Sequence, residues 1–173
     1  MREFSAPWSI LLKATTGICV LILCGIAVVG LVAGPRKLLW QLAVVGLPLT
    51  FLFLALPFTI LGYRIERDVL KVRRLGWATS IPLDGLRSVH ADPDAMARSL
   101  RVFGNGGLFC FAGRFRNQAL GNYRAWATDP GNAVVLKFDD RTLVVTPGRR
   151  NAFVFTLTKL IDPPPAAPTT AEQ

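Results

Sequence analysis

The stretch RVFGNGGLFCFAGRF, residues 101–115, places three glycines within four positions. Glycines this close are the raw material of a phosphate-cradling loop, whose backbone N–H groups point at an anion. A dinucleotide fingerprint needs Gly-x-Gly-x-x-Gly at the opening of a helix. Gly104 and Gly106 fill the first two places, but the third falls on Phe109, and the pattern that follows is that of a strand. A mononucleotide loop needs Lys-Ser/Thr after its last glycine, and none follows Gly107. The glycines read better as a tight turn or bulge, where only glycine tolerates a positive φ or a close backbone approach.

Other residues that could do chemistry lack the spacing for it. His90 is the sole imidazole, and Ser88 and Asp92, two positions to either side, share a strand face with it without forming a relay. Asp92 with Asp94, and Asp139 with Asp140, are acidic pairs in turn sequences, where turn formation explains them better than acid/base work or Ca²⁺ binding. Cys19, Cys24 and Cys110 form no CxxC and no paired framework. With one histidine they have no metal-ligand spacing either. The expectation is a chain with no catalytic residue, no metal and no cofactor, and therefore not an enzyme.

The elements that carry these residues divide the 173-residue chain in three: 1–62, 63–161 and 162–173. Residues 14–33 contain no charge, and 38–62 only Gln41 as a strongly polar group. A bilayer core of about 30 Å needs about 20 apolar residues in a helix, so each run is long enough to span. Two all-round apolar helices are hard to bury in so small a soluble protein, and no small-x-small cleavage site follows the first run. Residues 1–62 thus read as an N-terminal segment and a transmembrane hairpin, spans 14–33 and 38–62, turning at GPRK (34–37). Pro48 and Pro57 should kink the second span. Seven basic residues (Arg2, Lys13, Arg64, Arg67, Lys71, Arg73, Arg74) flank the outer ends of the hairpin against Arg36 and Lys37 at its turn. The excess puts both termini in the cytoplasm, with Trp8 and Tyr63 at the inner interface and Trp40 at the outer one.

From Tyr63 onward the apolar residues alternate and turn residues recur: YRIE, VLKVRRL, WATSIPL and LRSVHA are closed by Arg67-Asp68, Gly76, Asp84-Gly85 and Asp92-Pro93. PDAMARSLRV (93–102) suits a short helix, with Pro93 at its first position and Met96 and Leu100 four apart. LFCFAGRF, NYRAWAT, AVVLKF and TLVVTP follow as strands, the last two a hairpin around Asp139-Asp140-Arg141. NAFVFTLTKLI (151–161) carries Phe153, Leu157, Leu160 and Ile161 at helical spacing, with Asn151 as N-cap. DPPPAAPTTAEQ (162–173) reads as a disordered Pro/Ala-rich tail. The expected fold is an α-helical transmembrane hairpin plus a mainly-β domain. About seven antiparallel strands form a bent sheet or partial barrel, capped by a C-terminal helix.

That layout, with the succession R-x-x-G-x-G-G (101–107), G-R-F (113–115), L-G-N-Y (120–123), A-T-D (127–129), N-A-V-V-L (132–136), T-P (146–147) and a Phe-bearing final helix, resembles the bacterial pleckstrin-homology (PH) domain families over about residues 60–161. Members often follow one or two membrane spans. The resemblance makes Gly104, Gly106, Gly107, Gly113 and Gly121 signatures of the fold. It implies a membrane-anchored, non-enzymatic interaction module in a bacterial inner membrane, binding a protein partner or itself. The alternative is an accessory subunit of a transport or envelope-stress complex that acts through its transmembrane hairpin. Phe153 and Phe155 stand where eukaryotic PH domains carry Trp in the final helix, so eukaryotic lipid specificity does not transfer.

Residues 63–173 hold sixteen Lys and Arg against ten Asp and Glu. Arg64, Arg67, Lys71, Arg73 and Arg74 lie beside the second span, where each contributes on the order of 1 kcal/mol to attraction by an anionic leaflet. They are the candidate lipid-headgroup residues. The resemblance adds that Lys71-Val72-Arg73 falls near the first hairpin, where phosphoinositide-binding PH domains place basic residues. Phosphatidylglycerol or cardiolipin is the expected anion in a bacterium. Nucleic acid is not an expected partner, since no recognition helix is present and the aromatics sit in core-like patterns.

Overall fold

In the computed structural model, which describes residues 2–161, ten strands and three helices are joined by short turns. The tail 162–173 lies outside the described residues. Helix α1, Ile10–Val32, opens at Ser9, whose Oγ accepts the Leu12 amide at 3.1 Å as an N-cap. Helix α2, Leu38–Phe58, is broken in winding where proline removes a donor. Pro48 leaves the Val44 carbonyl without its usual partner, and residues Gln41–Gly46 widen to π geometry, Leu47 N–H reaching back to Leu42. Pro57 sits in a tight 3-10 final turn. Both helices are long and apolar enough to cross a membrane. They pack through Gly30, where a Cβ would stand 2.6 Å from Val44 Cγ1. Helix α1 begins four residues earlier than its apolar run suggests, and α2 ends four earlier because Ile60 already enters a strand.

Strands β1 (Arg2–Ser5), β2 (Ile60–Glu66), β3 (Val69–Arg74) and β4 (Ala78–Pro82) form one antiparallel sheet in that order. Strands β5 (Leu86–Ala91), β6 (Leu100–Gly106), β7 (Phe111–Asn117), β8 (Gly121–Ala127), β9 (Val134–Phe138) and β10 (Thr142–Val145) form the second, in the order β5-β9-β10-β8-β7-β6. Helix α3, Arg150–Ile161, closes the domain. The mainly-β domain capped by a C-terminal helix is as expected, but the strand count and pairing are not. Ten strands replace about seven, and the β8–β10 pair is parallel. The unexpected strands are β1, too short to show an alternation, and β6.

Strand β6 takes part of the segment expected to be helical. Residues 93–98 form turns instead. Asp92 Oδ1 accepts the Asp94 amide at 3.0 Å, and Asn117 Nδ2 takes the Ala95 carbonyl at 2.8 Å, which a helix would need for itself. Arg98, with φ of 49°, then ends any right-handed winding.

The main core lies between the sheets, where Ile60, Tyr63, Leu70, Val72, Leu136 and Val145 meet Phe153 and Leu157 of α3. Phe153 and Leu157 are buried as their spacing predicts, whereas Leu160 is exposed and Asn151 lies within the first turn and not ahead of it. A second cluster, Phe115, Tyr123, Ala125, Val135 and Val144, fills the other face of the second sheet beneath Ala95. Tyr63, expected at the membrane interface, is instead fully buried. Its hydroxyl donates to the Trp126 carbonyl at 2.7 Å and accepts the Thr146 amide at 3.2 Å, tying the sheets together, and burial pushes its pKa up to about 12. Tyr63→Phe should cost about 1–3 kcal/mol, because two buried backbone groups lose their partner. Denaturant unfolding of the pair checks this, and an unchanged midpoint would contradict it.

Candidate functional site

The glycine stretch forms the β6–β7 hairpin. Gly104 and Gly113 stand directly opposite each other with φ of 115° and 145°, and a Cβ on either would run into the facing backbone. Both need glycine because the two strands touch at this point. Asn105 Oδ1 accepts the amides of Gly107 and Leu108 at 3.2 and 3.0 Å and so shapes the turn. The turn rests on α1. Thr16 Oγ1 donates to the Gly107 carbonyl at 3.2 Å and accepts the Phe109 amide at 3.1 Å, while Thr15 Oγ1 lies 2.9 Å from the same carbonyl. Phe109, expected within the strand LFCFAGRF, is instead in the loop with φ of 65°, its ring 6.3 Å from Trp8. Phe111 and Phe115 do face the second core cluster, while Arg114 and Arg116 are exposed. Gly121 opens β8 with φ of 66°.

Above this hairpin, a cavity of about 1380 Å³ is bounded by β3–β4, β6–β8 and the adjoining ends of α1 and α2. Thr15, Cys19, Phe51, Leu54 and Phe58 form its helical wall. Four arginines line it, Arg74, Arg101, Arg114 and Arg124, and no Asp or Glu among the described residues does. Arg114 and Arg124 are paired directly across β7 and β8. Arg101 folds over Gly106, where a Cβ would stand 2.6 Å from Nη1. The Arg74 guanidinium carbon stands 4.7 Å from the Trp77 ring centre and 5.9 Å from that of Phe58. Arg74 is only 8% exposed, and its Nε has no hydrogen-bond partner. Burial lowers its pKa below the ordinary guanidinium value, and neighbouring Arg124 lowers it further. Cys110 is close by, but burial pushes its thiol up to about 11, so it stays neutral and offers no counter-charge.

A family model described as the bacterial PH domain matches residues 61–161, more than half of the chain, and so takes in strands β2–β10 and the closing helix but not β1. The chain belongs to the bacterial PH domain family. No curated protein and no solved structure matches it significantly.

Within this bacterial PH domain, the five basic residues singled out beside the second helix do not form one site. Arg64 bonds Glu3 and, at 3.2 Å, Glu66; Lys71 bonds Glu66; and Arg73 reaches Glu3 at 3.1 Å. Lys71, with Arg64, holds the Glu66 carboxyl below the ordinary carboxylate range. Two carboxylates thus offset three of the five charges on the outward face of the first sheet. Arg67 is exposed in the β2–β3 turn with φ of 49°. Only Arg74 turns into the cavity. Sequence reading missed its companions Arg101, Arg114 and Arg124. Arg101 and Arg114 stood inside the glycine stretch itself, but only the register of β7 on β8 brings Arg114 to Arg124. His90 is exposed on β5, with no part in the cavity.

Proposed function

We propose that the chain is a non-enzymatic, membrane-anchored interaction module of a bacterial inner membrane. In this reading α1 and α2 span the membrane with both termini cytoplasmic. The bacterial PH domain then meets a protein partner, or a second copy of itself, at the inner face. The observation that carries the reading is the seam of Gly107 and Phe109 on Thr15 and Thr16. It fixes the β6–β7 hairpin to the second turn of α1, so the domain is held in one pose against its own anchor and is not tethered loosely. Strand β6, the outer edge of the second sheet, then presents Leu100, Val102 and Phe103, all more than 60% exposed, beside the membrane. An unpaired edge of this kind is suited to strand addition.

A photocrosslinker at Val102 of the full chain in native membranes should give one discrete protein adduct, and the same probe at Asp140 should give none. Adducts to lipid alone, or equal yields at both positions, would reject the reading. Single cysteines at Arg36 and Ser80, in a chain freed of its native thiols, report orientation. The first should label from outside the cell, and the second only after lysis.

A further inference from the structure

The cavity under the helix ends concentrates positive charge that no acidic side chain among the described residues balances. Like charges placed directly across an antiparallel pair repel, as Arg114 and Arg124 do. The Arg74 Nε, buried without an acceptor, carries a further penalty, which the Trp77 and Phe58 rings offset only in part. The outward face of the first sheet is different, because Glu3 and Glu66 already occupy its cations. An anion between Arg74, Arg101, Arg114 and Arg124 would relieve both costs at once, since guanidinium forks match phosphate oxygens in geometry. The remaining wall is apolar, with Phe51, Leu54 and Phe58 of α2 exposed to the space. At about 1380 Å³ the cavity exceeds the usual small-molecule range of about 300–1,000 Å³.

We propose that this cavity binds the phosphodiester headgroup of an anionic phospholipid, its phosphate among the four arginines and its acyl chains along α2. A free phosphate shares the headgroup chemistry, but it would leave the Phe51, Leu54 and Phe58 wall without an occupant. The inference rests on the membrane-anchored reading, and the experiment separates the two.

Full-length protein in dodecylmaltoside micelles is titrated with phosphatidylglycerol or phosphatidylcholine of equal chain length, and with inorganic phosphate and glycerol phosphate. Thermal unfolding and native mass spectrometry provide the readouts. Phosphatidylglycerol should raise the melting temperature and persist as a bound adduct, and the other three should do neither. The Arg114→Gln/Arg124→Gln variant should be at least as stable as the parent without lipid, because a repulsion is removed. Its affinity for phosphatidylglycerol should fall about tenfold or more for the loss of charge-assisted hydrogen bonds. Arg101→Gln, on an exposed edge strand, gives the same test with the least risk to folding. Undiminished binding by these variants, or an equal response to phosphatidylcholine, overturns the site. A shift produced by inorganic phosphate or glycerol phosphate overturns the lipid assignment. Carbonate washing of native membranes reads the anchor separately: release of the chain would reject anchoring whatever the micelle titration shows.

Discussion

Gly113→Val should disrupt the β6–β7 hairpin and lower domain stability by at least about 3 kcal/mol. Gly113 has φ of 145°, a conformation whose strain for a non-glycine residue is on the order of 1–3 kcal/mol. Beyond that strain, a Cβ would collide with the Phe103 carbonyl oxygen and stand 2.8 Å from Gly104 Cα. The obstacle is backbone in a paired strand, so relief requires the strands to separate, and overpacking adds to the cost. Separation would also lift Gly107 and Phe109 off Thr16, so amide exchange should rise across the loop as well as in the strands. Gly121→Ala is the control. Its φ is 66°, but nothing lies within 4 Å of the added Cβ, so only the left-handed penalty of about 1–2 kcal/mol applies. Thermal unfolding and hydrogen exchange in the same detergent compare the two. Equal losses would mean that the close approach of the strands is not what requires glycine.

Phe153→Ala should cost about 3–5 kcal/mol, the range for removing a buried aromatic ring. Phe153 is fully buried, with its ring edge-on to Phe4 at 5.1 Å and to Tyr63 at 6.2 Å. It therefore joins α3 to strands from both ends of the helical hairpin. Its loss opens a void between the sheets that α3 cannot fill by shifting, because Leu157 one turn on is held in the same core. Urea unfolding should show a midpoint lowered by on the order of 2 M at unchanged slope. Phe155→Ala removes the same ring from a position 57% exposed and should change stability by no more than about 0.5 kcal/mol. A similar loss at both positions would mean that α3 does not pack as a plug.

Local pattern accounts for much of this fold and little of its cavity. The two apolar helices, the β9–β10 hairpin and the burial of Phe153 and Leu157 all follow from periods of 3.6 and 2, which a sequence displays directly. What escaped depends on partners distant in the chain. Strand β1 has four residues and gains its identity only from β2, some sixty positions on. The parallel closure of β10 on β8 arises because β9 is occupied by β5 and β10 on its two edges. Thr15 and Thr16 look like ordinary members of an apolar helix until the Gly107 loop meets them from 91 and 92 residues away. The arginines show the same limit in reverse. A cluster dense in sequence proved to be divided between two faces, and one dispersed over fifty residues proved to be gathered.

The pairing of Arg2–Ser5 with Gly62–Ile65 has a consequence of parity. Strands hydrogen-bonded in one sheet share one aqueous compartment, so a chain that leaves that compartment after Ser5 must return before Gly62. Only an even number of crossings satisfies this, and charge counting does not enter. The same pairing imposes an order on biosynthesis. Strand β1 must wait for its partner until the helical hairpin is complete and β2 emerges. An amino-terminal export signal, or a tag that drags the start of the chain across the bilayer, would therefore leave the first sheet without its edge and Phe153 without Phe4.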